Sequence, residues 1–198
     1  MPADRQELRR RLAAVAAAQS GYFTAGQALR AGYSYQAQKY HTDRGNWVKV
    51  ERGIFRLPEW PVGRHDDLVR WSLWSRGRAV ASHETALSVH DLGDVNPAVV
   101  HLMVPLNFRA RAPGLRLHHG VVPERDVLDH EGFHVTTALR SLLDVAAGNL
   151  DLDQLATAID DAVERGMITT RAVRARADEF GAHAALRIER ALGLRNPA

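Results

Sequence analysis

Two groups of residues in this chain have the types and spacing for chemistry. The first lies between positions 34 and 56: Ser34, Tyr35, Gln36, Gln38, Lys39 and Arg44, then Lys49, Arg52 and Arg56. Glutamine bonds adenine bidentately along its major-groove edge, lysine reaches the acceptors of guanine, and arginine suits a backbone phosphate. The second group is the ten histidines and their acidic neighbours. His83-Glu84 lacks a second histidine four residues after the first, so zinc-protease spacing fails. His118 and His119 occupy successive strand positions, point to opposite faces and cannot share an ion. There is no glycine-rich phosphate loop, no nucleophile elbow and no Glu-x-Lys tripeptide of the kind a metal nuclease uses. His83, His90 and His101 read as structural hydrogen-bonding groups, and Asp66-Asp67 and Asp160-Asp161 as solvated helix faces. The expectation is a protein without catalytic residues, metal ligands or cofactor, and not an enzyme.

The first group needs a frame. Thr24 stands three residues before Gln27, the spacing of a capping box. A short helix follows and stops at Gly32. Ser34 is the N-cap of a second helix, Tyr35 to about Arg44, closed by Gly45. Trp47 to Glu51, Arg52-Gly53 and Ile54 to Leu57 then alternate in period two around a glycine turn, which reads as a β-hairpin. Trp47, Val48, Val50, Ile54 and Phe55 are assigned to the core. Residues 3–19 form a helix with Leu8, Leu12 and Val15 inward, and Tyr22 and Phe23 anchor the same core. Three helices and a hairpin make a winged helix-turn-helix. In that motif the second helix of the pair enters the major groove, and the hairpin grips backbone or minor groove with Arg52 at its tip.

Charge distribution supports the assignment. The net charge is +3, but residues 1–64 carry 11 Arg and Lys against 5 Asp and Glu, while the remainder carries 15 against 18. A basic first third suits a nucleic-acid partner. There is no cysteine, which excludes disulfides and thiolate metal sites. No apolar run approaches the roughly 20 residues of a membrane span. The N-terminus carries acidic residues and a short alanine-rich stretch at helical spacing, so it reads as a helix rather than a leader. A cytoplasmic protein is expected.

Pro58 to Gly63 reads as a linker, giving two domains, 1–60 and 65–198. The second opens with a helix over Asp66–Ser75 and another from Ser82, as N-cap, to about His90. Val99–Val104 and Leu115–His119 read as strands, with Val121-Val122 and Phe133–Val135 as further short ones. Four helices follow, closed by Gly148, by Gly166, after Phe180 and near Leu192. The fold class is α+β: a winged helix-turn-helix, then a mixed α/β domain ending in a helical bundle.

The run Gly21-Tyr22-Phe23-Thr24 to Ala28, Gly32, Gly45-Asn46-Trp47 and Val50-Glu51-Arg52-Gly53-Ile54-Phe55-Arg56-Leu57 resembles the N-terminal domain of AbiEi-type antitoxins. Ser82-His83-Glu84-Thr85-Ala86-Leu87, Val100-His101-Leu102 to Pro105, and Val135-Thr136-Thr137 to Arg140-Ser141-Leu142-Leu143-Asp144 resemble the C-terminal domain of that family. The resemblance implies a type IV toxin–antitoxin system. The antitoxin would repress its own operon at inverted repeats in double-stranded DNA, and its second domain would counter a nucleotidyltransferase-like toxin, directly or indirectly. Arg109 and Arg111 in a loop, and Arg171, Arg174, Arg187 and Arg190 on late helices, are candidate toxin-countering residues. A winged-helix regulator outside any toxin operon, a protein-binding adaptor and a DNA-processing enzyme are the alternatives.

Overall fold

The computed structural model describes residues 4–194. The chain is α+β and divides into two compact units, residues 1–78 with 129–133, and residues 79–128 with 134–198.

The first unit runs α1 (Arg5–Ala17), β1 (Tyr22–Thr24), α2 (Ala25–Ala31), α3 (Tyr35–Asp43), β2 (Val48–Glu51), β3 (Ile54–Arg56) and α4 (Asp66–Trp74). The strands form an antiparallel sheet in the order β1-β3-β2. Tyr22 and Phe23, expected as core anchors, also make a strand, with Phe23 opposite Phe55. That pairing sets the inward face. Phe23 is fully buried, edge-on to Trp47 at 4.8 Å between ring centroids and stacked on Phe55 at 5.7 Å. Leu12, Ala16, Ala28, Ala31 and Tyr33 complete the core. Burying such aromatics dominates the stabilisation of a small core.

Several sequence expectations change here. Val48 pairs with Arg56 rather than Phe55, so it lies off the core face and is 46% exposed. A register shift between Lys49 and Glu51 breaks the strict alternation. The stretch 58–63 is fastened rather than free: Arg56 Nη2 donates to Trp60 O at 3.0 Å and Pro61 O at 2.9 Å. It also meets Asp66 Oδ2 at 3.0 Å, so Asp66 is buried in an ion pair and not on a solvated face. Helix α4, which opens the second domain in the sequence reading, packs against β1 and β3 of the first unit.

The second unit contains β4 (Val80–Ala81), α5 (His83–Val89), β5 (Val100–Val104), β6 (Leu115–His119), β7 (Val127–His130), β8 (Phe133–Thr136), α6 (Ala138–Ala147), α7 (Leu152–Glu164), α8 (Thr170–Ala177) and α9 (Ala182–Leu194). The tip residues 129–133 group with the first unit. The sheet order is β6-β5-β4-β8-β7, with β4 antiparallel to β5 and parallel to β8, and β5 parallel to β6. Strands β4 and β7 were not expected. Val121-Val122 is not a strand; it sits between Gly120 and Pro123, and proline cannot donate to a ladder. Apolar stripes of α5–α9, including Leu87, Leu142, Leu155, Ile159 and Ile188, meet in one core. Asp161 belongs to the framework too: its Oδ2 accepts from Gly93 N at 2.7 Å, pinning the turn after α5 to α7. Gly93 is required there, because a Cβ would fall 2.8 Å from the Ala158 Cβ. Among the described residues no helix is long and apolar enough to cross a membrane.

Candidate nucleic-acid interface

Local chemistry fixes helices α2 and α3 at the spacing of a helix-turn-helix. Thr24 Oγ1 accepts from Gln27 N at 3.2 Å while Gln27 Oε1 accepts from Thr24 N at 2.7 Å, completing the capping box. Gly32 ends α2 with φ of 108°, a left-handed turn that a side chain would strain. Ser34 Oγ accepts from Ala37 N at 3.2 Å and starts α3. That bond uses the hydroxyl as an acceptor and leaves its O–H as a donor.

The nine expected contact residues of this unit separate by exposure. On α3, Tyr35, Gln36 and Lys39 are exposed, Tyr35 at 69%, as is Arg44 at the C-cap. Tyr35, Gln36, Lys39 and Asp43 share one helical face by their spacing. Lys39 Nζ lies 2.8 Å from Asp43 Oδ2, an exposed pair that exchanges readily with another anion. Arg44 rests over the Tyr40 ring at 5.4 Å, and Tyr40, which no sequence pattern marks as a contact, is 53% exposed. On the wing, Lys49 and Arg52 are exposed, with Arg52 beside Gly53 at the hairpin tip.

Two residues leave the set. Gln38 is 3% exposed, and its Nε2 donates to Ala25 O and Tyr33 O, both at 3.1 Å. It closes the turn between the helices and presents nothing to a base. Arg56 is occupied by Asp66, Trp60 and Pro61 and lies over the Tyr22 ring at 5.3 Å. It serves as an internal brace and presents no free wing cation.

The candidate arginines of the second unit separate in the same way. Arg187 is a cap: its guanidinium donates to Gly148 O at 2.6 Å and to Leu150 O, satisfying carbonyls beyond the end of α6. Arg174 makes a two-pronged bond to Glu189 at 2.8 and 3.1 Å, joining α8 to α9. Arg171, Arg190, Arg109 and Arg111 are exposed, and Arg109 Nη1 donates to Leu106 O at 3.1 Å.

A buried ionic network was missed by the sequence reading. Asp126, 1% exposed, accepts from Arg176 Nη1 at 2.6 Å and Nη2 at 2.8 Å, with Arg140 Nη1 at 3.5 Å. Arg176 holds the Asp126 carboxyl below its usual range. Arg140 Nε also donates to Asp144 Oδ1 at 2.9 Å. Burial nonetheless pushes Asp144 up to about 6.

Histidines gather on one face of β5 and β6. His101 Nδ1 is 2.7 Å from Glu84 Oε2 and 3.3 Å from His118 Nε2, and the His83 ring stacks on His118 at 3.5 Å. Ser82 does not cap α5; its hydroxyl meets His83 Nδ1 at 3.0 Å, and His83 takes a left-handed φ of 52°. Burial, followed by neighbouring imidazoles, lowers His83 to about 3 and His118 to about 4. Burial works to raise Glu84, but the His101 contact, a backbone N–H and the neighbouring imidazoles together hold it at about 2. No group of three His, Asp or Glu side chains among the described residues is arranged to hold a metal ion. His90 Nε2 lies 2.7 Å from Thr136 O, a structural hydrogen bond.

Comparison with known proteins follows the same division. Residues 10–58 match the family model described as "Transcriptional regulator, AbiEi antitoxin", over the segment that carries α2, α3 and the wing. No curated protein matches the chain. The crystal structure of the RV2827C protein from Mycobacterium tuberculosis is similar with a TM-score of 0.56 at 12% identity, covering 96% of this chain and 82% of that one. At that identity the likeness is one of fold.

Proposed function

We propose, proceeding from the match of residues 10–58 to the AbiEi antitoxin family of transcriptional regulators, that this chain is a DNA-binding autorepressor and antitoxin. The observation that carries the reading is the set of exposed polar and cationic side chains on α3 and the wing. Tyr35, Gln36 and Lys39 read base edges in the major groove, with the Ser34 hydroxyl beside them. Arg44, Lys49 and Arg52 hold phosphates, Arg52 from the hairpin tip. The target is double-stranded operator DNA with inverted repeats. No step of this function needs a cofactor, a catalytic residue or a membrane, and we read the protein as a cytoplasmic non-enzyme.

In the same reading, the second unit counters a nucleotidyltransferase-like toxin, directly or indirectly. Arg171, Arg174 and Arg190 are the exposed late-helix candidates, with Arg174 engaged by Glu189. A reporter driven by the DNA upstream of this gene tests repression, and co-expression with the neighbouring reading frame tests antitoxicity. Wild type should repress the reporter and restore growth. A Gln36→Ala, Lys39→Ala, Arg52→Ala variant should lose repression and keep the growth rescue.

One observation favours a second reading. The family match covers residues 10–58, the segment of α2, α3 and the wing, which a winged-helix regulator outside a toxin operon would carry equally. Repression without growth rescue would select that reading.

A further inference from the structure

A cleft of about 480 Å³ opens in the second unit between strand β6 and the loop that precedes it. Its base is apolar. Leu115 and Leu117 stand two residues apart on β6, with His119 two further on, so all three share one face of the sheet. Strand β6 is an edge strand, and both leucines remain only partly buried. The wall is the loop carrying Arg109 and Arg111, both exposed. This loop has an anchor: Phe108, at its start, is 2% exposed, and its N–H donates to Pro105 O at 2.9 Å. Arg109 is also oriented, by its bond to Leu106 O. Among the described residues no carboxylate lines the cleft.

We infer that this cleft binds a nucleoside phosphate. Two guanidiniums and an imidazole without an opposing carboxylate select an anion, and guanidinium forks match phosphate oxygens in pairs. The apolar strand face and the volume exceed what inorganic phosphate needs, and the volume falls in the range of small-molecule sites, about 300–1,000 Å³. A flat heterocycle lies on Leu115 and Leu117 or stacks against a guanidinium plane, while the phosphates meet Arg109, Arg111 and His119. This inference does not rest on the DNA-binding reading, which concerns the other unit.

The test titrates the full chain with ADP, GDP and UDP, then with adenosine, guanosine and inorganic phosphate, by calorimetry. At least one nucleotide should bind saturably with Kd below about 1 mM. Its nucleoside should bind at least tenfold more weakly, and phosphate should compete. Arg109→Ala with Arg111→Ala should weaken the nucleotide at least tenfold with an unchanged thermal melt, since both side chains are exposed. Leu117→Glu, which places a carboxylate on the base, should weaken it as much from the other wall. Absence of saturable nucleotide binding overturns the inference. So does nucleotide binding that both variants leave intact, or a cleft that takes an acidic hexapeptide and no nucleotide.

Discussion

The two units use the same residue types in opposite ways. In the first, the cations of α3 and the hairpin tip stand in solvent: Lys39, Arg44, Lys49 and Arg52 are exposed. In the second, Arg176, Arg140 and Arg187 are turned inward, onto Asp126, Asp144 and backbone carbonyls beyond the end of α6. An arginine count therefore does not locate a binding surface. What matters is whether the guanidinium has a partner within its own unit. Arg56 shows the rule inside the first unit, where a wing arginine is committed to Asp66 and the 60–61 carbonyls.

The largest expected effect breaks an internal arginine. Arg176→Ala leaves the buried Asp126 carboxylate with only the longer Arg140 contact and should cost about 3 kcal/mol of unfolding free energy, as for a buried pair losing one member. Urea unfolding followed by circular dichroism measures it. Arg190→Ala, in solvent on the same unit, should change stability by no more than about 0.5 kcal/mol. Equal losses for the two would erase the distinction.

Next comes the pair Gln38 and Gln36. Gln38→Ala removes the side-chain donor to Ala25 O and Tyr33 O and should cost about 1–3 kcal/mol of stability. Gln36→Ala should leave stability alone and cost about 1–3 kcal/mol of discrimination at one operator base pair. Melting curves and a base-substituted operator series separate the two. A Gln36→Ala variant that destabilises the fold yet keeps its base preference would reverse their roles.

A smaller effect is expected with pH. His83 and His118 are held at about 3 and about 4, below the 6.5 of an unperturbed imidazole. Their folded-state pKa is lowered, so the unfolded chain takes up protons first. The stability tied to their neutral forms is complete above pH 6.5 and is lost as the pH falls toward 4. Asp144 acts in the opposite sense. It is raised from 3.8 to about 6, so the folded state binds its proton first and gains stability as the pH falls through that window. Two histidines against one carboxyl give a net loss. Replacing His83 and His118 by Gln should flatten the fall between pH 6.5 and 4, and Asp144→Asn should steepen it. Glu84, His101, Arg116 and Arg140 bear on these groups and remain in both variants. An unchanged slope in the histidine variant would remove the cluster from the account.

The parts of the interface legible in the sequence were those with local chemistry. Thr24 and Gln27 are three residues apart, Gly32 follows a helix, and Ser34 precedes one, so caps and turns could be read directly. The alternation after Trp47 announced the hairpin, although the β2–β3 register that places Val48 opposite Arg56, with its shift between Lys49 and Glu51, carries no mark in that alternation. Gln38 was misplaced because an inward polar residue carries no periodic mark; its acceptors belong to residues 25 and 33. Arg56 was misplaced because its partner lies ten residues away across two prolines. In the second unit the helices were plain from their apolar stripes. The Asp126–Arg176 bond spans 50 residues, and strand β4 has two residues, so neither leaves a pattern in a single sequence.

The central claim is that α3 and the wing tip bind DNA, and salt dependence tests it most directly. Affinity for a duplex from upstream of the gene is measured across a range of salt concentrations for wild type and for Lys39→Ala, Arg52→Ala. DNA recognition by α3 and the wing predicts preference for that duplex over a random one. It also predicts that the log–log slope falls by about 0.9 for each phosphate contact removed, with Arg52 counted as such a contact. Wild-type binding without sequence preference, or a variant with unchanged affinity and slope, would contradict it.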